Sequence, residues 1–455
     1  MAIDQGIRTK DINMCSENKN SYLVVLEVSL LLSMLISIKL RIFALGHFAL
    51  LIAVWITLVD VKRLIPFFFL ASLATDLFVG VFGGGLPRAF ELLLLIGMLL
   101  QNRGKVRLFD LGALAFICGA VTVSFILSET RSLLYFMSVI LDVAAVLIMV
   151  NLNLSSNALK TLFKRICRIF SIFLLFACVY MITDPYLLYR GGKLSISISP
   201  FINPNTFSQM IVQILAFMLG CICTRKDLGF SRNQIRWVSV MALVALTLLA
   251  LSGSRSGYFA ALIGLAFMMA FRGSYKRSFG KAVFILLVFL SVFYFVIINI
   301  PALEDKLNIF RLVESGGAGR MAIIEAELKY IIPNHLMFGV GIGTASEIEA
   351  LSPYFNYRVF SATNIVFSML TQIGLVGSLA FWQYFFRTFL RIINARNLMP
   401  LILIPGLMFI VAISQGIAEN IFYERFLWND IALICVCWKI GDIVSQGLAE
   451  RVLQL

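Results

Sequence analysis

The sequence predicts an all-α, polytopic integral membrane protein with about 12–14 transmembrane helices and one large periplasmic loop. Three observations predict it. Of 455 residues, 60% are hydrophobic, and the mean hydropathy of +0.94 excludes an ordinary soluble globule. Apolar runs long enough to cross a bilayer recur along nearly the whole chain. Lipid-exposed backbone must satisfy its own hydrogen bonds, so these runs are helices and not an open sheet. Basic residues gather in alternate short loops, as the positive-inside rule requires of a multi-pass chain.

In chain order, the runs fall at about 21–38, 41–59, 64–82, 86–100, 108–128, 132–150, 166–182, 206–223, 236–251, 256–271, 282–299, 362–386, 398–414 and 420–438. The polar segment to about Asn20 precedes a first run with no small-residue cleavage site behind it, so that run reads as a retained helix. The basic loops hold Arg103, Lys105 and Arg107; Lys160, Lys164, Arg165 and Arg168; Arg225, Lys226, Arg232 and Arg236; Arg272, Lys276, Arg277 and Lys281; and Arg387, Arg391 and Arg396. This distribution places both termini in the cytoplasm and the turn at Arg255 outside. The net charge of +14 therefore reports topology and contact with anionic lipid heads. It does not report nucleic-acid binding. Most of the 8 cysteines lie inside apolar runs without zinc spacing, and packing accounts for them.

One membrane domain, residues 1–455, is expected. Two outer loops stand out by length. The first, 183–206, holds Arg190 and the run Pro200-Phe201-Ile202-Asn203-Pro204-Asn205. The second, 301–362, contains a turn-like stretch ending in Gly319-Arg320 and then Ile323, Ile324, Leu328 and Ile331 at helical spacing. Pro333 ends that helix. The turn Gly339-Val340-Gly341-Ile342-Gly343 lacks the strand and helix of a dinucleotide site and reads as a close-packed loop.

The feature with most chemical content is Ser252-Gly253-Ser254-Arg255-Ser256-Gly257, a tight turn of small residues between two apolar runs. A cation there is costly unless it has a partner or faces a wet cavity. Small neighbours leave room for a bulky anion, and the planar fork of arginine suits phosphate. The plainer reading is a snorkelling interfacial arginine. Arg190, Arg255, Arg320 and the Asn203/Asn205 pair share the outer face, a set suited to a diphosphate. Arg320 also sits near a helix start. No metal-ligand cluster accompanies them, and neither a metal nor a cofactor is expected. Candidate bases are few: Glu325 and Glu327, Glu347 and Glu349, Glu419 and Glu424. Asp76, Glu91 and Asp142 fall within apolar runs, where pairing inside the bundle is the simpler role.

The turn at Arg255, the Asn203-Pro204-Asn205 loop, the Gly319-Arg320 helix start and the glycine turn at 339–343 occur in an order that resembles the superfamily of O-antigen polymerases (Wzy-type) and O-antigen ligases. The resemblance covers about residues 180 to 440. Its ligase branch has a histidine followed by an amide or serine, then nine residues and Gly-x-x-Gly. Here Thr363-Asn364, Ile365 to Ile373 and Gly374-Leu375-Val376-Gly377 stand in those places. Threonine cannot supply an imidazole, which favours the polymerase branch.

The resemblance implies a glycosyltransferase acting on undecaprenyl-diphosphate-linked oligosaccharides at the periplasmic face, with no nucleotide sugar and no metal. Arg255 and Arg320 would contact the diphosphate. Arg190, Asn203, Asn205, Thr363 and Asn364 would bind substrate, and Glu325 is the candidate base. Membrane lipids are expected partners, a chain-length regulator is a further candidate, and nucleic acid is not one. Two other readings stay open: a ligase passing polysaccharide to lipid A-core, and a flippase. No inverted repeat supports the latter.

Overall fold

The computed structural model describes residues 22–40, 42–75, 85–128, 132–183, 204–270, 291, 320–355, 364–419, 421–422 and 424–453. Among the described residues there is no strand. Six described helices are long and apolar enough to cross a membrane, with Leu111–Leu127, Arg255–Ala270 and Pro400–Gln415 as shorter apolar helices. The architecture is the all-α, multi-pass one that composition predicts. The expected run at 282–299 and Asp76 lie outside the described residues, apart from position 291.

The chain divides into two compact units, Met1–Lys105 and Val106–Leu455. The first contains α1 (Tyr22–Leu40), α2 (Phe43–Asp60), α3 (Ile65–Leu73) and α4 (Leu86–Gln101). Asp60 ends α2 by accepting from the Lys62 amide at 3.2 Å. Arg63 follows, buried, and is held by Glu27 at 2.9 Å and Asp60 at 3.4 Å. Two carboxylates thus offset one desolvated cation. Glu91 is buried in α4.

The second unit contains α5 (Leu111–Leu127), α6 (Leu133–Asn151), α7 (Ser156–Thr183), α8 (Pro204–Cys223), α9 (Arg232–Ser252) and α10 (Arg255–Ala270). After the loop come α11 (Arg320–Ala326), α12 (Thr344–Leu351), α13 (Ile365–Ala395), α14 (Leu403–Gln415) and α15 (Arg425–Leu453). Helix α8 is the buried centre, packed by α9, α10 and α14. Small residues permit that approach. A Cβ on Gly220 would meet the Ile404 backbone at 2.9 Å, and one on Gly257 would meet Ser208 at 2.7 Å.

Among the described residues of this unit, the basic segments around Arg107, Lys164 and Arg225–Arg236 gather at the end of the bundle where α9 begins. Lys164 donates to the Gly229 carbonyl at 3.2 Å, Asn151 ties the Arg107 backbone at 2.7 Å, and Lys439 donates to the Val150 carbonyl at 3.0 Å. At about 1.5 Å per residue, the 21 residues of α9 carry the chain about a bilayer's thickness away, to the Ser252–Arg255 turn.

Several cations differ from the loop reading: Lys160, Lys164, Arg165 and Arg168 lie inside α7, and Arg232 and Arg236 lie in the first turns of α9. Arg387 and Arg391 lie inside α13, which runs to Ala395. Arg391 is buried, paired with Asp110 and ringed by Phe109, Tyr384 and Trp438 at 5.1–5.9 Å. Its charge therefore belongs to the interior. Asp142 is likewise spoken for, by Arg425 at 3.6 Å. Breaking a buried pair strands the remaining charge, so Asp110→Ala is expected to lower stability by about 3 kcal/mol, read as a drop in the melting midpoint of the purified protein.

Candidate active site

The site grows from the turn between α9 and α10. Helix α9 stops because Gly253 adopts a left-handed conformation, φ +62°, which ends helices cheaply. The Ser252 hydroxyl donates to the Leu249 carbonyl at 2.6 Å and accepts from the Ser254 amide at 3.3 Å. Ser254 then donates to Asn205 Oδ1 at 2.9 Å. Arg255 opens α10 and stands exposed. Partial desolvation first, and then the charge of Arg320, lower its pKa from the ordinary arginine value.

Arg320 opens α11. Its Nη1 donates to the Ala418 carbonyl at 3.0 Å, and its Nη2 lies 3.9 Å from Glu419 Oε1. Glu419 follows the end of α14 and is mostly buried. Asn205, whose Oδ1 is taken by Ser254, hydrogen-bonds this carboxylate. Burial pushes Glu419 up to about 7, while Arg320 and then Asn205 pull it down. Arg320 therefore faces both the Arg255 guanidinium and the Glu419 carboxyl group. The starts of α8 and α10 turn the positive ends of their dipoles to the same region.

Asn364 caps α13, accepting from Val366 N at 2.9 Å and Phe367 N at 3.3 Å. Its Nδ2 donates to the Ile417 carbonyl at 2.8 Å, and the Ile365 amide donates to the Gly416 carbonyl at 2.7 Å. The structure thus gives Asn364 a strapping role, holding α13 against the segment that presents Glu419.

The glycine turn and the Gly-x-x-Gly stretch form one joint. Gly374 breaks α13 with φ 66° and ψ −170°. The segment 336–341 pairs across that break. Leu375 N donates to Leu336 O at 2.7 Å, Val340 N to Thr371 O at 2.8 Å and Gly341 N to Gln372 O at 3.1 Å. A Cβ on Gly339 would strike the Gln372–Ile373 peptide, and one on Gly374 would strike that of Met337–Phe338. Gly341 and Gly343 press against Ser128 and Tyr135. The turn is the close-packed loop expected from the sequence, and it docks the outer loop on α13.

Of the expected site residues, Arg255, Arg320 and Asn205 come together. Glu325 is exposed on α11, within reach of the Lys329 charge, and no described contact joins it to the arginines. Arg190, Asn203 and Thr363 lie outside the described residues. Sequence order gave no sign that Glu419, about a hundred residues after Arg320, would meet it. His335 is exposed. Among the described residues no cluster of three or more His, Cys, Asp or Glu could hold a metal.

A family model described as O-Antigen ligase matches residues 240–382. The match runs from within α9 to the middle of α13 and includes Arg255, Arg320 and the glycine joint. No curated protein matches the chain.

Proposed function

We propose that the protein is a surface-polysaccharide polymerase of the bacterial inner membrane, joining undecaprenyl-diphosphate-linked repeat units at the periplasmic face. The observation that carries this reading is the approach of Arg255 to Arg320 beside Glu419, at the bundle end remote from the basic loops. The two guanidiniums hold the donor diphosphate and stabilise its charge as it leaves. A hydroxyl on the non-reducing end of the acceptor attacks the donor's anomeric carbon. The bond to the diphosphate oxygen breaks, a glycosidic bond forms, and the hydroxyl proton passes to Glu419. Asn205 holds that carboxylate in place.

A base near pH 7 must be ionised to work. Burial raises the Glu419 pKa, so the ionised fraction grows with pH. Polymer formation is expected to climb from about pH 6 to about pH 8, and Glu419→Gln to lose about 100-fold together with that dependence. A Glu419→Gln enzyme with the wild-type profile would remove this residue from the role.

The family description favours a second reading, a ligase; threonine at position 363 favours the polymerase. A gel of surface polysaccharide from cells with and without the gene separates them. Loss of the ladder with single-unit-capped lipid A retained supports the polymerase. Loss of all capping with lipid-linked polymer accumulating means a ligase. Single lipid-linked units trapped on the cytoplasmic side mean a flippase.

A further inference from the structure

We propose that Glu327 and Glu347 share one proton, and that this contact latches the Arg320 helix onto the break in α13. Glu327 begins a π-helical turn, Glu327–Ile331, that continues α11, so it is rigidly linked to Arg320 about two turns back. Glu347 lies in the first turn of α12. Both side chains are fully buried. Neither Glu327 oxygen receives an ordinary hydrogen bond, and the polar groups bearing on it are Glu347 and Thr371. Gln372 anchors the other member, its Nε2 donating to Glu347 Oε2 at 2.6 Å while its Oε1 accepts from the Gly343 amide at 2.8 Å. Gln372 is two residues before Gly374, so the acid pair meets the glycine joint directly.

Two carboxylates cannot both ionise in such a place. Burial first, then the Glu347 charge, push Glu327 up to about 9. Glu327 therefore keeps its proton at neutral pH and donates it to Glu347, whose charge the Gln372 amide and the α12 helix start favour. Glu325 and Lys329 on the same helix and Glu349 on α12 are exposed, as is His335. Tyr330 stacks on Tyr354 at 4.4 Å, and α13 presents the uncharged Thr371 and Gln372. Ile323, Ala326, Ile331 and Leu351 form the apolar cluster of this loop.

The test is the melting midpoint of the purified full-length protein in lipid nanodiscs from pH 5 to pH 9. It needs no turnover, so it stands apart from the polymerase reading on which the latch's service to Arg320 rests. A folded-state pKa raised from 4.5 to about 9 means that the native state binds more protons across that window. The stabilisation is complete below 4.5 and disappears as pH rises to about 9. The wild-type midpoint is expected to fall steadily across the range. Glu327→Gln mimics the protonated acid and should at least halve that fall, whereas Glu327→Ala should melt lower at every pH. If Glu327→Gln cannot be purified, Glu347→Gln removes the like charge and should move the fall to lower pH. Parallel profiles for wild type and either glutamine variant would overturn the shared proton. So would a Ca²⁺-dependent rise in midpoint that Glu327→Gln abolishes, which would mean that the pair holds a cation.

Discussion

Alanine at Arg255 or at Arg320 is expected to cut polymer formation by about 100-fold or more. The magnitude follows from the work assigned to them: each offsets charge on a departing diphosphate. Arg255 is exposed, so its removal should leave the melting midpoint nearly unchanged. Arg320 also ties α11 to the Ala418 carbonyl, and its removal should cost some stability as well. Lysine should rescue either position only in part, because an ammonium is a point charge without the planar fork. Polymer yield, normalised to the amount of protein in the membrane, is the readout. Unchanged polymer in both alanine variants would remove the diphosphate role.

The second large effect is expected at Gly374, where alanine should cost about 3 kcal/mol or more. Its φ of 66° with ψ near 180° belongs to a region that only glycine enters freely, and a Cβ would strike the Met337–Phe338 peptide. The loss is therefore twofold, backbone strain and a parted joint between the outer loop and α13. Gly377→Ala provides the contrast. That position carries no positive φ, and its Cβ would meet only the Ile373 side chain at 2.8 Å, which can shift. The expected order of melting midpoints is wild type, then Gly377→Ala, then Gly374→Ala well below.

Much of the fold was legible because a bilayer imposes strict rules. Apolar runs announce helices, and alternate basic loops announce two ends. The turn at Arg255 was legible too, since an arginine among small residues between apolar runs contradicts its surroundings. Arg391 misled because a cation near a helix end looks like a loop cation until its partner, Asp110, is seen 281 positions away. Glu419 stood among the candidate bases but could not be ranked above Glu325, for the same reason: its environment is made by Arg320 and Asn205, which the chain brings from distant segments. Glu325 and Glu327 are indistinguishable by spacing alone. Helical geometry turns one to solvent and the other into a closed apolar site, where a like charge waits. The Gly-x-x-Gly stretch was visible as a motif, but its purpose, receiving a second glycine turn across a broken helix, required the pairing partner.

The most direct measurement is to supply the purified, membrane-reconstituted protein with a polyisoprenyl-diphosphate-linked repeat unit as sole substrate and to separate the lipid-linked products by size. A ladder of extended lipid-linked glycans, one free lipid diphosphate released per added link, and loss of both with Arg255→Ala are the predicted results. Transfer only when a lipid A-core acceptor is added, or movement of the intact substrate across the bilayer without new glycosidic bonds, would contradict the assignment.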